Sequence, residues 1–203
     1  MIKINLGSGP RTAKDWINFD YGLLPFLGKF GLTKIAGFLG MIDKSYVVKW
    51  PRFRYFDIRQ SLPFGGDSVD YIYCSHVLEH FEKYEVLRIL TECRRVLGRK
   101  GLVRIVMPDL LKLISDYSGS DSFCREFYGY DKDLMGGVGG SLKKYFIRGH
   151  RWMYDVEEFC KLLKCAGFSK VSVVSYRQGS CPDLDVLDLD IHLRLSFYVE
   201  ARA

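Results

Sequence analysis

The sequence predicts an α/β fold built on a mostly parallel sheet with one antiparallel strand at its C-terminal end. Three observations predict it. Short β-branched or aromatic runs alternate with amphipathic helical stretches, the first run breaks into a glycine turn, and the last two runs have no convincing helix between them. With 203 residues, 48% of them hydrophobic, the chain can bury one substantial core, so a single domain over 1–203 is expected.

The first run, KINL, stops at Gly7-Ser8-Gly9-Pro10, and the second, INFD, ends on Asp20. RYFD (54–57) and DYIYCS (70–75) read as further strands, each closed by polar residues. EKYEVLRILTECRRVL (82–97) repeats apolar residues at helical spacing and is halted by Gly98 and Gly101. LVRIVMP (102–108) is a buried strand stopped by Pro108, and VEEFCKLLKCAGF is an amphipathic helix ended by Gly167. KVSVVSY (170–176) and LSFYVEA (195–201) complete the set. This alternation predicts helices on both faces of the sheet and ligands at the carboxyl ends of its strands.

No run of about 18 apolar residues occurs, and the N-terminus reads as a strand and not a leader, so a cytoplasmic location is the default expectation. The cysteines at 74, 93, 124, 160, 165 and 181 include no Cys-x-x-Cys and read as reduced, mostly buried thiols. A net charge of +6 is too modest to argue for nucleic acid.

The glycine turn is not a dinucleotide fingerprint. Thr12 stands where the third glycine should be, Pro10 intervenes, and Asp20 comes too early for a full helix before the ribose-binding acid. Without a helix N-terminus aimed at phosphates, the expected ligand is a nucleoside lacking them, and S-adenosylmethionine fits.

INLGSGP, NFD, FDIRQSLPFGGDSVDYIYCSHVLEHF, RRVLGRKGLVRIVMPD and the AGF before a strand together resemble a class I S-adenosylmethionine-dependent methyltransferase of the small type 11 kind. The resemblance leaves out residues 21–53 and 118–149. It implies a Rossmann-like sheet of about seven strands. It also implies that Leu6, Gly7, Ser8 and Gly9 cradle the amino-acid part of the cofactor, that Asp20 holds the ribose, that Asp57 and Ile58 hold the adenine, and that Ser75 and His76 lie under the methionine portion. Two departures stand out. Asn5 replaces the family's usual acid, and the Gly9–Asp20 connection is too short for its first helix.

For chemistry, His76, Glu79 and His80 share a face if a helix starts near Ser75, which is metal-ligand spacing, but a polar helix opening beside the cofactor explains them and no metal is expected. In RGHRWMYD (148–155), after the GGVGG stretch (136–140), an unperturbed His150 is a candidate base, and Arg148 and Arg151 are candidate holders of an anionic substrate. Asp155 serves equally as a helix cap. His150 and His76 are thus the catalytic candidates. The acids of DLDVLDLD (183–190) read as a solvated loop.

Residues 21–54 carry six basic residues (Lys29, Lys34, Lys44, Lys49, Arg52, Arg54) against one acid, Asp43. On a helical wheel Leu24, Leu27, Ile35, Phe38 and Ile42 share one side, and Lys29, Thr33 and Gly37 the other. This basic amphipathic insert, at about 21–53, reads either as a lid over the cofactor site or as an interfacial segment touching an anionic membrane or a lipid-linked acceptor. The expected protein is therefore a methyltransferase using S-adenosylmethionine, with S-adenosylhomocysteine as product. Its acceptor is an oxygen or nitrogen of a small molecule or a glycan or lipid-linked precursor, with no nucleic acid partner and peripheral membrane contact through the insert. The competing readings are a non-catalytic cofactor-binding module acting through a partner and a nicotinamide-dependent oxidoreductase, against which the Gly9–Asp20 spacing argues.

Overall fold

The computed structural model describes residues 1–42, 44–128 and 149–203. Seven strands form one sheet: β1 (Lys3–Leu6), β2 (Ile17–Asp20), β3 (Arg54–Tyr55), β4 (Val69–Ser75), β5 (Leu97–Pro108), β6 (Lys170–Val174) and β7 (Ser196–Arg202). Their spatial order is β3-β2-β1-β4-β5-β7-β6, with β1 to β5 parallel and β7 antiparallel to both neighbours. Among the described residues the helices longer than one turn are α1 (Leu23–Lys29), α2 (Thr33–Phe38), α3 (Lys83–Val96), α4 (Leu110–Ser115), α5 (Ser120–Tyr128) and α6 (Val156–Cys165). No helix among the described residues is long and apolar enough to cross a membrane.

One face of the sheet is covered by α3 and α6. A reciprocal capping box between Glu82 and Glu85 opens α3, and Val86, Ile89, Leu90, Cys93 and Val96 follow at the spacing that puts them on one buried stripe. In α6, Asp155 accepts from the Glu158 N–H at 2.8 Å, and Phe159, Leu162 and Leu163 turn inward. The helix stops ahead of Gly98 as expected, but the strand expected from Leu102 starts earlier. The helix ends after Val96 and β5 begins at once, with both glycines inside an irregularity where pairing jumps from Val69–Leu97 to Tyr71–Leu102. A Cβ on Gly101 would lie 2.9 Å from the Gly98 carbonyl oxygen, so the irregularity needs a glycine there.

Helices are expected on both faces, but among the described residues the cover over the central strands on the other face is mostly irregular. On the opposite face Tyr73, Leu102, Val106 and Tyr198 pack against Ala13, Trp16, Cys181, Leu184 and Leu187, from an irregular loop and from a long connection holding a single helical turn at Leu184–Leu187. A buried ion network secures that connection. Arg104 of β5 is fully buried and uses all five of its N–H donors: Nε and Nη2 on Asp188, Nη1 on Glu200 and the Gln178 carbonyl, and Nη2 also on the Ser175 carbonyl. Glu200 accepts in addition from the N–H groups of Ser180 and Cys181, and Asp188 from Arg177 N–H and the Tyr73 hydroxyl. Asp183 takes the Lys3 ammonium at 2.7 Å and the Trp16 indole N–H at 2.8 Å. Of the acids expected in a solvated loop, Asp183, Asp185 and Asp190 are exposed, but Asp188 is corrected: it is 1% exposed, and its charge is matched inside the protein. All six thiols are free; Cys74, Cys93 and Cys181 are buried, whereas Cys124 and Cys165 are exposed.

Removing the cation alone strands two carboxylates. Arg104→Ala is expected to cost about 3 to 5 kcal/mol in urea unfolding. A loss below about 1 kcal/mol would show that the connection does not depend on the network.

Candidate functional site

At the carboxyl end of β1 the chain turns through Gly7 (φ 71°) and Gly9 (φ 56°), left-handed conformations that glycine adopts without strain. The N–H groups of Gly7 and Ser8 both donate to the Phe19 carbonyl, at 2.8 and 3.0 Å, stitching the turn to β2. Asp20, the last residue of β2, accepts from Gly9 N–H at 2.7 Å through Oδ2 and from Tyr21 N–H at 2.8 Å through Oδ1. A Cβ on Gly7 would sit 2.2 Å from Val77 Cγ2, whereas one on Gly9 would meet nothing within 4 Å. The turn is thus packed on its inner side and presents bare backbone on its outer side.

That backbone faces a cavity of about 590 Å³. Gly7, Gly9 and Asp20 line it together with Leu23, Leu24 and Pro25 of α1, Trp50, His76, Glu79 and His80 after β4, Asp109 after β5, and His150, His192 and Ser196. The residues after β1, β2, β4 and β5 leave the carboxyl ends of parallel strands, and Ser196 opens the antiparallel β7 opposite Pro108, so they share the edge where ligands bind in open α/β folds.

Six polar side chains meet around the turn after β4. His76 adopts φ 52°, and its ring stacks on His192 with centroids 3.6 Å apart; its Nε2 is 2.9 Å from Ser196 Oγ. Glu79 lies in a 3-10 turn, Leu78–His80, and is completely buried, yet neither carboxyl oxygen makes a hydrogen bond among the described residues. His76 Nδ1 is 3.4 Å from Glu79 Oε1, a distance without hydrogen-bond alignment. The Glu79 carbonyl accepts from Arg151 and Trp152 N–H at 2.8 and 3.2 Å, which brings His150 over the turn. The Nδ1 atoms of His80 and His150 face the Gly149 and Phe127 carbonyls, and the two rings are 5.3 Å apart. One ligand atom each of Glu79, His80 and His150 lies within 4.8 Å of the others, so these three could hold a metal ion.

Burial sets the charge of this cluster. It pushes the Glu79 carboxyl up to about 8. Burial, reinforced by the neighbouring histidines 192, 150 and 80, holds His76 well below the usual imidazole value, and burial takes His192 down to about 4. His150 is lowered too, by burial that outweighs its bond to the Phe127 carbonyl. The expectation of an unperturbed His150 is corrected accordingly: it is a neutral base at pH 7. With His76 neutral and Glu79 raised, their close contact is not an ion pair at that pH.

Of the residues singled out in the sequence, Gly7, Gly9, Asp20, His76 and His150 line the cavity. Leu6 and Ile58 lie in the core beneath it. Ser8 contributes its N–H to the turn, and Ser75 Oγ is 3.3 Å from His192 Nδ1, behind the His76 ring. Asp57 is not in the cavity wall; its carboxylate accepts from Arg59 Nε at 3.0 Å and Nη2 at 2.6 Å. Asn5 is buried with Asn18 as its partner, Nδ2 to Oδ1 at 3.4 Å. The helix expected from Ser75 is only the 3-10 turn, so His150, not His76, completes the grouping with Glu79 and His80. Arg151 pairs with Glu82 and Asp155 caps α6. Arg148 and the 136–140 stretch lie outside the described residues. His192 and Ser196 carried no signal in the sequence, being more than 110 residues from the histidine they hold.

A family model described as a methyltransferase domain matches residues 38–105. The fold is similar to that of an S-adenosylmethionine-dependent methyltransferase from Archaeoglobus fulgidus (TM-score 0.53, 12% identity, covering 100% of this chain and 86% of that one). It is also similar to the CurJ carbon methyltransferase (0.53, 14%, 100% and 48%) and to PigF solved with S-adenosylhomocysteine (0.52, 15%, 100% and 50%). This chain therefore spans about half the length of the latter two. No match was found among curated proteins. The strand order and the likeness to these structures lead to one conclusion: this chain has the fold of the S-adenosylmethionine-dependent methyltransferases, and its residues 38–105 match a methyltransferase domain.

Proposed function

We propose that the protein transfers the methyl group of S-adenosylmethionine to an oxygen or nitrogen of a small molecule or of a glycan or lipid-linked precursor. The observation that carries this reading is Asp20, held by two backbone N–H groups at the tip of β2 on the same cavity as the open face of Gly9. A carboxylate oxygen has two lone pairs, so one that accepts a backbone N–H can accept a ribose hydroxyl as well. The bare glycine backbone suits the amino-acid end of the cofactor, and the cavity volume falls in the range of small-ligand sites. Bound there, the cofactor supplies an electrophilic methyl whose bond to sulfur breaks as the bond to the acceptor forms, sulfur keeping the electron pair.

The chain's own part is to align the acceptor and take its proton. His150 and His76, both neutral at pH 7 and both in the cavity wall, serve as proton acceptors in this reading. Ser196 and His192 fix the His76 ring. The segment at about 21–53 is a wall or lid over the cavity within the single domain, through Leu23, Leu24, Pro25 and Trp50. No metal is assigned a role.

S-adenosylhomocysteine is expected to bind and raise the melting temperature, and Asp20→Ala to weaken that binding by roughly 1.5 to 3 kcal/mol. A shift with NADH and none with S-adenosylhomocysteine would refute the methyltransferase reading. The same titration after EDTA treatment is expected to give the same affinity; a loss restored by Zn²⁺ would assign Glu79, His80 and His150 as ligands.

Glu79 adds a pH test. Below about 4.5 the carboxyl is neutral in both folded and unfolded chains; between there and about 8 only the unfolded chain ionises it, so its contribution to stability is lost as pH rises through that window. Glu79→Gln does not titrate. Its stability relative to the parent is therefore expected to rise by on the order of 3 kcal/mol between pH 5 and pH 8, read by urea unfolding at each pH. A difference independent of pH would mean that Glu79 ionises alike in both states.

A further inference from the structure

The helices α1 and α2 face the wrong way for a lid packed only by its apolar side. In α2 the buried residues are Thr33 and Ala36, whereas Ile35 and Phe38 are 59% and 91% exposed. Leu39, Phe30, Leu23 and Phe26 are exposed as well. The cause is on the inner side. A Cβ on Gly28 would lie 2.2 Å from the Trp50 ring and one on Gly37 would lie 2.4 Å from Val47, so both helices sit with their glycines pressed against the 47–50 segment, leaving the bulky apolar side chains outside. A soluble surface rarely clusters large apolar groups in this way without a partner.

The charge of the segment that carries the patch points to the partner. Lys29, Lys34, Lys44, Lys49, Arg52 and Arg54 are all exposed, and with Asp43 as the one acid in 21–54 this segment holds five of the chain's six net positive charges. An apolar face carried on so basic a segment complements an anionic bilayer: the side chains enter the acyl boundary and the ammonium and guanidinium groups remain among the headgroups. We propose that the outer face of α1 and α2, with the basic residues beside it, docks this protein on an anionic lipid surface. Docking there places a wall of the cavity, Leu23, Leu24 and Pro25, against the headgroup region. The proposal goes beyond the methyl-transfer reading and does not require it.

The test is co-sedimentation with vesicles of phosphatidylglycerol and phosphatidylcholine in equal parts, against phosphatidylcholine alone, at low and high salt. The parent is expected to sediment with the anionic vesicles, and binding to fall at least about tenfold at high salt or on neutral vesicles. Lys29→Glu with Lys34→Glu is expected to weaken anionic binding by at least about tenfold. Ile35→Ser with Phe38→Ser is expected to weaken it comparably while leaving the charge intact. Both variants change exposed side chains, so their affinity for S-adenosylhomocysteine, read on the same preparations, should stay within about twofold of the parent. A parent that ignores anionic vesicles, or variants that bind them as the parent does, overturns the proposal. So does a concentration-dependent dimer abolished by the Ile35 and Phe38 changes, which would give the surface to a second copy of the chain.

Discussion

The side of the sheet covered by the long connection between β6 and β7 depends on one guanidinium. Arg104 lies in the middle of β5 with no access to water, and its desolvation is offset by two carboxylates and two backbone carbonyls, all from β7 and the chain just before it. Those partners hold the long connection against Tyr73, Leu102, Val106 and Tyr198, so an irregular segment does the covering that a crossover helix does elsewhere. Gly179 belongs to the same arrangement: at φ 145° it passes so close to Glu200 that a Cβ there would lie 2.2 Å from Oε1. Downstream the connection delivers His192 and Ser196, the two groups that orient His76. A charge cluster on one face of the sheet therefore determines the geometry of a cavity at its edge.

The cavity itself follows from strand order. Connections leave β1 toward β2 on one side and β4 lies on the other, so the chain diverges at the carboxyl ends of β1 and β4 and leaves a crevice between them. Gly7 against Val77 closes the bottom of that crevice, and Asp20 is carried beside it by the parallel register of Leu6 with Phe19. The short connection from Gly9 to β2 leaves no room for a helix, which is why Trp16 and Ala13 from that loop pack directly on the sheet.

What was legible in the sequence is what local pattern encodes. The seven short runs became seven strands, the central ones β1, β4, β5 and β7 largely buried and the edge strands β3 and β6 largely exposed, and Asp20 was placed because its position at the end of a run is itself local. The site's polar cluster was only half legible. Glu79 and His80 are adjacent to His76 in the chain, but the backbone turns through φ 52° at His76, which a residue other than glycine seldom adopts, and the assumed helix does not form. His192 and Ser196 arrive through contacts set by the Arg104 network, for which no periodicity exists. Asp57 is drawn to Arg59 two residues away, a local pair readable only once the loop is folded. For α2 the wheel identified which residues share a side, but not which side faces in, because that was decided by Gly28 and Gly37 meeting Trp50 and Val47.

The position of β7 has a consequence for how the chain is made. It is synthesised after β6, yet it lies between β5 and β6 and pairs with both along nearly its full length. While translation proceeds, β6 has no sheet neighbour, β5 has an open edge, and Arg104 waits for the carboxylate of Glu200. The nascent chain must therefore hold an unpaired strand, and an Arg104 short of one of its two carboxylates, until β7 leaves the ribosome and joins β5 to β6, a stage at which chaperones that shield exposed strand edges would have their chance to act.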